Sequence, residues 1–433
     1  MLRVMSKNHF LLFFLLCLLN LVNANVDSSL RYTNAIYEGD IRSVTLKNAS
    51  SGFNFPVISL GDIENKLEIT FDQLTASRDN YFVTLIHCDA NWNKTLLPKT
   101  QYLDGIGFES IDDISFSTGT LTQYVHYSIK FPSENLKPKI SGNYLVLIYR
   151  NFEEEDIVLS RRIMVLDNKG SVDVQIVLSS QVEFRQEQQQ VNFSFTKTTD
   201  NYFIPNPYQE LNTRVLRNGE WESSISTLKP QFIRGNVYQY NQMIGSQFDG
   251  LNEYRYFDIR SLQTAQAGVK LRRNIANQKH VWLISDKSRG FDQYMNWKDF
   301  NGRVFYDNKD LPLSNGNNFE SDYCFVHFSL ISEPISHDIY IYGELSDWSK
   351  KEDYKMFYNQ ETKQYEAVIP LKQAYYNYAF GVENEPGKLD FKLFEGSHSV
   401  AENNYMVLVY HRNQTMPYDE LIGYGLKNSQ PTR

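Results

Sequence analysis

Apolar and polar residues alternate in short runs along most of this chain, and long helical periodicity is scarce. From Ser43 to about Asp167 the runs are SVTLKN, FPVISL, KLEITF, YFVTLIHC, YSIKF, NYLVLIY and VLSRRIMVL, separated by polar or Gly-containing segments. A period of two sends alternate side chains to opposite faces, and strands at this spacing predict an antiparallel β-sandwich of immunoglobulin-like size. After Asp167, VDVQIVLS, QVNFSFTK, ELNTRVLRNG, YQYNQMI and EYRYFDIRSL predict a second set of strands, with a compact turn at Arg217 to Gly219. A third set begins at about Phe300 with CFVHFSL, IYIYGEL, YEAVIPL, YNYAFGV and NYMVLVYHR. NYLVLIYR at Asn143 to Arg150 and NYMVLVYH at Asn404 to His411 share one pattern. That echo fits either duplicated sandwiches or two similar strands. The expected fold is all-β, with tandem immunoglobulin-like antiparallel sandwiches at 25–167, 168–299 and 300–433.

The segment before the first strand reads differently. Arg3 and Lys7 precede an apolar stretch from Phe10 to Val22, followed by Asn23 and Ala24. This is the pattern of a secretory signal peptide, assigned to residues 1–24. The run is short for a membrane span, and no other stretch approaches the roughly 20 apolar residues that a bilayer requires. The expected mature protein is soluble and exported.

Composition sharpens the class. The 433 residues exceed one ordinary core and imply two or three domains. A formal net charge of −8 argues against nucleic acid as the main partner. Aromatic residues make up 14% of the chain, with 29 Tyr and 28 Phe, which suits pleated surfaces.

Candidate chemistry is sparse. In the strand YFVTLIHC, Phe82, Thr84, Ile86 and Cys88 share one face while Tyr81, Val83, Leu85 and His87 share the other. His87 and Cys88 therefore diverge and do not form a nucleophile and base pair. Beyond the signal peptide only Cys88 and Cys324 remain, each in a strand-like apolar stretch that reads as a small buried hydrophobe. The histidines at 87, 126, 280, 327, 337, 398 and 411 lack metal-ligand spacing, and no HExxH, GxSxG, P-loop or GxGxxG motif occurs. Asp112 with Asp113, and Glu153 to Asp156, lie in expected turns, where solvation explains them. Lys270, Arg272 and Arg273 form a small basic cluster read as a solvated strand end. No enzymatic activity, cofactor or metal is expected.

Three groups of words in the chain carry a resemblance. HCDANW at His87 to Trp92, YLDG at Tyr102 to Gly105 and HYSIKFPSENLKPKISGNYLVLIY resemble the first domain of the type IX secretion system plug protein family of the Bacteroidota. The likeness is strongest from about Ile41 to Leu166 and returns in IYIYGELSDW at Ile339 to Trp348 and in PYDELIGYG near the C-terminus. Asn91 stands where the family pattern leads one to expect an acidic residue. The resemblance implies a periplasmic, non-catalytic subunit that binds the outer-membrane translocon β-barrel and closes its periplasmic side. The loop from Asp89 to Gly105, with Trp92, Tyr102 and Asp104, is the expected contact surface, unless Trp92 and Tyr102 serve only to close the core.

GELSDW and the following KMFYNQETKQYEAVIPLKQAYYNYAF also look like immunoglobulin-type modules that bind starch or glycogen. Under that alternative, Trp348 stacks on sugar, and Tyr340 and Tyr342, alternating with Ile339 and Ile341, make an exposed face.

Overall fold

The computed structural model describes residues 29–49, 55–264, 266–311, 318–413 and 415–430; the expected signal peptide at 1–24 lies outside them. About 48% of the chain is strand and 6% helix, so the fold is all-β, built of several antiparallel sheets.

Most of the sheets stack as layers. The first contains Ile41–Asn48, Leu67–Gln73, Val125–Phe131 and Asp113–Phe116, in that order. The second is built from Ala35–Ile36, Glu153–Leu166, Gly142–Arg150, Tyr81–Cys88 and Glu109–Ser110, with Val57–Ser59 added in parallel. Between them lies one core that includes Ile69, Phe71, Tyr81, Val83, Leu85, Tyr127, Val146 and Ile148.

The outer face of the second layer is covered as well. A three-stranded sheet of Leu211–Arg217, Asn404–His411 and Glu420–Asn428 lies over it. Leu216, Met406, Leu408, Tyr410 and Leu421 pack there against Phe82, Ile86, Cys88, Leu145 and Leu147. The reverse side of this third layer, with Tyr405, Val407 and Val409, meets Val174, Val191, Phe193 and Phe195 of a fourth layer. That layer contains Gly170–Leu178, Gln188–Lys197, Val237–Tyr240 and Phe232–Arg234. Tyr81–Cys88 is therefore buried along its whole length and not half-buried. A strand covered on both faces must be apolar on both, which is why LVLIY and MVLVY read as continuous runs. Each Leu or Met side chain removed from water at these seams contributes about 1.5–3 kcal/mol.

An eleven-stranded assembly, from Arg255–Asp258 to Lys388–Asp390, flanks the stack around its own core. Pairing groups the chain differently from a division at residues 299 and 300. Arg255–Asp258 pairs with Ala374–Glu385, and Gln278–Leu283 pairs in parallel with Tyr323–Ile331, across that expected boundary. Asn404–His411 pairs instead with Leu211–Arg217. The echoing strands Asn143 to Arg150 and Asn404 to His411 are both central strands, in facing layers.

The flank is held to the first layer by polar contacts. Lys372 Nζ lies 2.6 Å from the Asp72 carboxylate, with both side chains 1% exposed. Tyr323 donates its hydroxyl to the same carboxylate at 2.7 Å, and His126 Nδ1 lies 2.6 Å from its other oxygen. Burial alone would raise the Asp72 carboxyl, but the Lys372 ammonium and His126 hold it below the ordinary carboxylate range.

Candidate interaction surface

The HCDANW turn is built around Asp89. Its carboxylate accepts the backbone N–H groups of Asn91 and Asn93, both at 2.8 Å, and the Asn93 side-chain amide at 3.0 Å. Those bonds satisfy a tight turn in which Trp92 adopts a positive φ of 67°. The conformation is strained for a large side chain, and packing holds it. The Trp92 ring meets Trp221 edge to face at 5.0 Å, and the Arg162 guanidinium lies 4.6 Å above it.

The same turn meets the PYDELIGYG segment. Ala90 donates its backbone N–H to the Asp419 carboxylate at 2.9 Å. Tyr418 packs edge to face on His87 at 5.6 Å. The strand at Gly142 passes between them: a Cβ there would fall 2.8 Å from His87 Nε2 and 2.9 Å from the Asp419 carbonyl oxygen. Tyr410 donates to the Asn143 side-chain oxygen, and the Asn143 amide in turn donates to the Asp89 carbonyl. Asn91, standing where an acidic residue was expected, accepts from Arg214 through its side-chain oxygen at 2.5 Å. An amide oxygen thus does the accepting that a carboxylate would do there.

The GELSDW word is a third piece of this seam. Asp347 and Trp348 both have positive φ, 56° and 53°, and Asp347 accepts from Arg161 at 2.9 Å. Burial would raise the Asp347 carboxyl, but Arg161 and Lys351 hold it low. The Trp348 ring lies against Gly302, where an added Cβ would meet it at 2.5 Å, and against Tyr254 and Tyr342. Ile339, Tyr340, Ile341 and Tyr342 are all buried, so the expected exposed tyrosine face is absent. That strand lies between Lys355–Asn359 and Ala374–Glu385, where both of its faces are covered. Trp221 and Trp348 line a cleft of about 510 Å³ between the second layer and the flank, walled by both signs of charge, among them Arg162, Glu222 and Lys351.

The residues expected to contact a partner separate. Trp92 is 4% exposed and Tyr102 3% exposed, inside two different cores. Burial pushes the Tyr102 hydroxyl up to about 12, and its ring sits beside His87 and Tyr144. Asp104 is at the surface, with Lys139 Nζ 3.4 Å away. On the same loop Leu96 is fully exposed, and Ile106 just beyond it is 64% exposed. Neither was singled out from the sequence, where a lone Leu carries no signal. Burial raises both Cys88 and Cys324 to about 12 and keeps the thiols neutral, and neither is in a disulfide. Among the described residues no group of three or more His, Cys, Asp or Glu is placed to hold a metal ion. No helix among them is long and apolar enough to cross a membrane.

Residues 41–167 match the family described as "Type 9 secretion system plug protein 1st domain". The crystal structure of a hypothetical protein from Parabacteroides merdae ATCC 43184, at 2.30 Å resolution, superposes with a TM-score of 0.87 at 28% identity. The likeness covers 92% of this chain and 100% of that one, so the layers and the flank are shared. The BSP domain of a biofilm associated protein aligns over 93% of this chain and 61% of its own at 7% identity, with a TM-score of 0.15, too low to bear on the fold. No curated protein matches. The chain therefore carries, at residues 41–167, the first domain of a type 9 secretion system plug protein.

Proposed function

We propose that this protein is a periplasmic, non-catalytic plug subunit that binds the outer-membrane translocon barrel of the type IX secretion system and closes its periplasmic side. The observation that carries the reading is the plug first domain at residues 41–167. The seams add a physical reason. A stopper must resist being deformed through the opening it covers, and the Ala90–Asp419, Arg161–Asp347 and Asp72–Lys372 contacts lock remote segments of the chain together. Contacts among buried groups of this kind favour one arrangement over a flexible string.

The contact surface in this reading is the outer side of the loop from Asp89 to Gly105, extended by the neighbouring Ile106. Leu96 and Ile106 are its apolar anchors, and Asp104 is a rim charge. Trp92 and Tyr102 act beneath it as supports. A stable interface of this kind buries at least about 1,200 Å² in total. By linkage, cargo or a subunit that favours the open barrel weakens plug binding by the same factor that the plug weakens theirs.

The test is deletion of the gene with the barrel left in place. Cells should then admit large hydrophilic molecules that the outer membrane normally excludes. Unchanged permeability, or purification of the protein from gently solubilised envelopes with no large barrel attached, would overturn the proposal.

A further inference from the structure

Among the described residues the strand Val269–Ile275 has a neighbouring strand on one side only. It ends the strand order of the flanking assembly and pairs with Gln278–Leu283 through a two-residue turn, Ala276 and Asn277, both at positive φ. An edge strand turns alternate backbone N–H and C=O groups outward without partners, which makes it a template for another extended chain.

This edge is basic in an acidic protein. Lys270, Arg272 and Arg273 stand within four residues, while the whole chain carries a formal charge of −8. Among the described residues none of the three has an ion-pair partner, although Lys279 on the paired strand is neutralised by Asp322 at 3.0 Å. Arg272 Nη1 is shielded from water and has no hydrogen-bond acceptor. An orphaned guanidinium N–H of this kind costs more than an exposed one, and an arriving carboxylate removes that cost.

The outer face beside the edge is apolar and aromatic. Leu271 is exposed there, Trp282 stacks on His327 at 4.2 Å, and His280 stacks on Phe325 at 5.1 Å. These rings offer contact for the alternate side chains of an added strand. Three positive charges repel a second copy of the same edge, so the charge pattern selects against self-pairing and for an acidic partner.

We propose that Val269–Ile275 binds an extended acidic segment of a partner protein by strand addition. The partner's backbone completes the ladder, and its carboxylates meet the basic side chains of this edge, Arg273 on the face of His280 and Arg272 on the opposite face. The inference stands on this edge alone and does not depend on the plug reading.

The test uses the full mature chain and three labelled peptides followed by fluorescence anisotropy: alternating Glu and Val, alternating Lys and Val, and the Glu peptide with Pro at alternate positions. The Glu peptide should bind and the Lys peptide should not. The Pro form, equal in charge but unable to complete the ladder, should bind at least about tenfold more weakly. Arg272→Glu should weaken the Glu peptide by at least about tenfold, and so should the exposed pair Lys270→Ala with Arg273→Ala, which keeps the test valid if the first variant misfolds. Equal binding of the Pro form would reduce the site to charge alone and overturn the proposal. So would failure of the Glu peptide to bind, or binding confined to phosphatidylglycerol vesicles.

Discussion

The backbone N–H of Ala90 donates to the carboxylate of Asp419 at 2.9 Å across 329 residues of sequence. This one bond joins two of the words that mark the chain, HCDANW and PYDELIGYG. Asp419→Ala would leave the buried Ala90 N–H without an acceptor at the seam between the second and third layers. The expected loss is about 1–3 kcal/mol, read as a lower urea midpoint, with Asp419→Asn losing less because an amide oxygen still accepts. Equal midpoints for all three proteins would show that the bond does not hold the seam.

Much of the strand inventory was legible because short apolar, β-branched and aromatic runs bounded by polar segments mark strands whether one face is buried or both. Tyr81–Cys88 and Leu67–Gln73 were anticipated almost residue for residue. The partners of each strand were not. Nothing local to NYMVLVYH says that it pairs with Leu211–Arg217, because register across such a separation is decided by complementary faces and not by propensity. One clue was available: LVLIY and MVLVY are apolar on both faces, the mark of a strand covered on both sides. The loop misled in the opposite way. Asn91 and Asn93 are exposed, as their polarity suggests, and bond Asp89 and Arg214, while Trp92 between them turns inward.

The loop's support and its surface separate by mutation. Trp92→Ala removes a ring packed on Trp221 and Arg162, and should cost about 3–5 kcal/mol in thermal or urea unfolding. Leu96→Glu touches a fully exposed side chain and should leave unfolding within about 0.5 kcal/mol of the parent. Under the plug reading it should nonetheless reduce recovery of the barrel in pull-downs from envelope extracts. Undiminished recovery would move the contact surface elsewhere.

The pair Asp72 and Lys372 makes a different kind of prediction. Lys372→Met alone leaves a buried carboxylate short of its main counter-charge and should cost about 3–5 kcal/mol. Adding Asp72→Asn should recover much of that loss. A double-mutant cycle on unfolding free energies measures the coupling, and simple additivity would show that the two groups stabilise the fold independently.

Acid sensitivity should trace in part to His87. Burial lowers its pKa from 6.5 to about 4. The buried ring lies with Nε2 3.3 Å from the Ser141 carbonyl oxygen and Nδ1 3.0 Å from the Thr95 hydroxyl, and it is burial that favours the neutral form. Below pH 6.5 the unfolded chain takes up a proton that the folded chain refuses. The folded state is therefore fully favoured above pH 6.5 and loses stability as pH falls towards 4, by roughly 3 kcal/mol in all. His87→Gln should remove that loss, seen as a flatter curve of urea midpoint against pH. Asp299, raised to about 6 by burial, works in the opposite sense in both proteins and cancels in the comparison. Parallel curves would show that His87 is not the group responsible.

The position of Asn404–His411 in the middle of the third layer sets the order in which the molecule can be finished. A chain delivered N-terminus first exposes the outer apolar side of its leading sandwich, Phe82, Ile86, Leu145 and Leu147, until some 250 further residues have emerged. During that interval the nascent protein is sticky where the mature one is dry. Folding in that order leaves one face of a β-sheet bare until the last two strands arrive to close it.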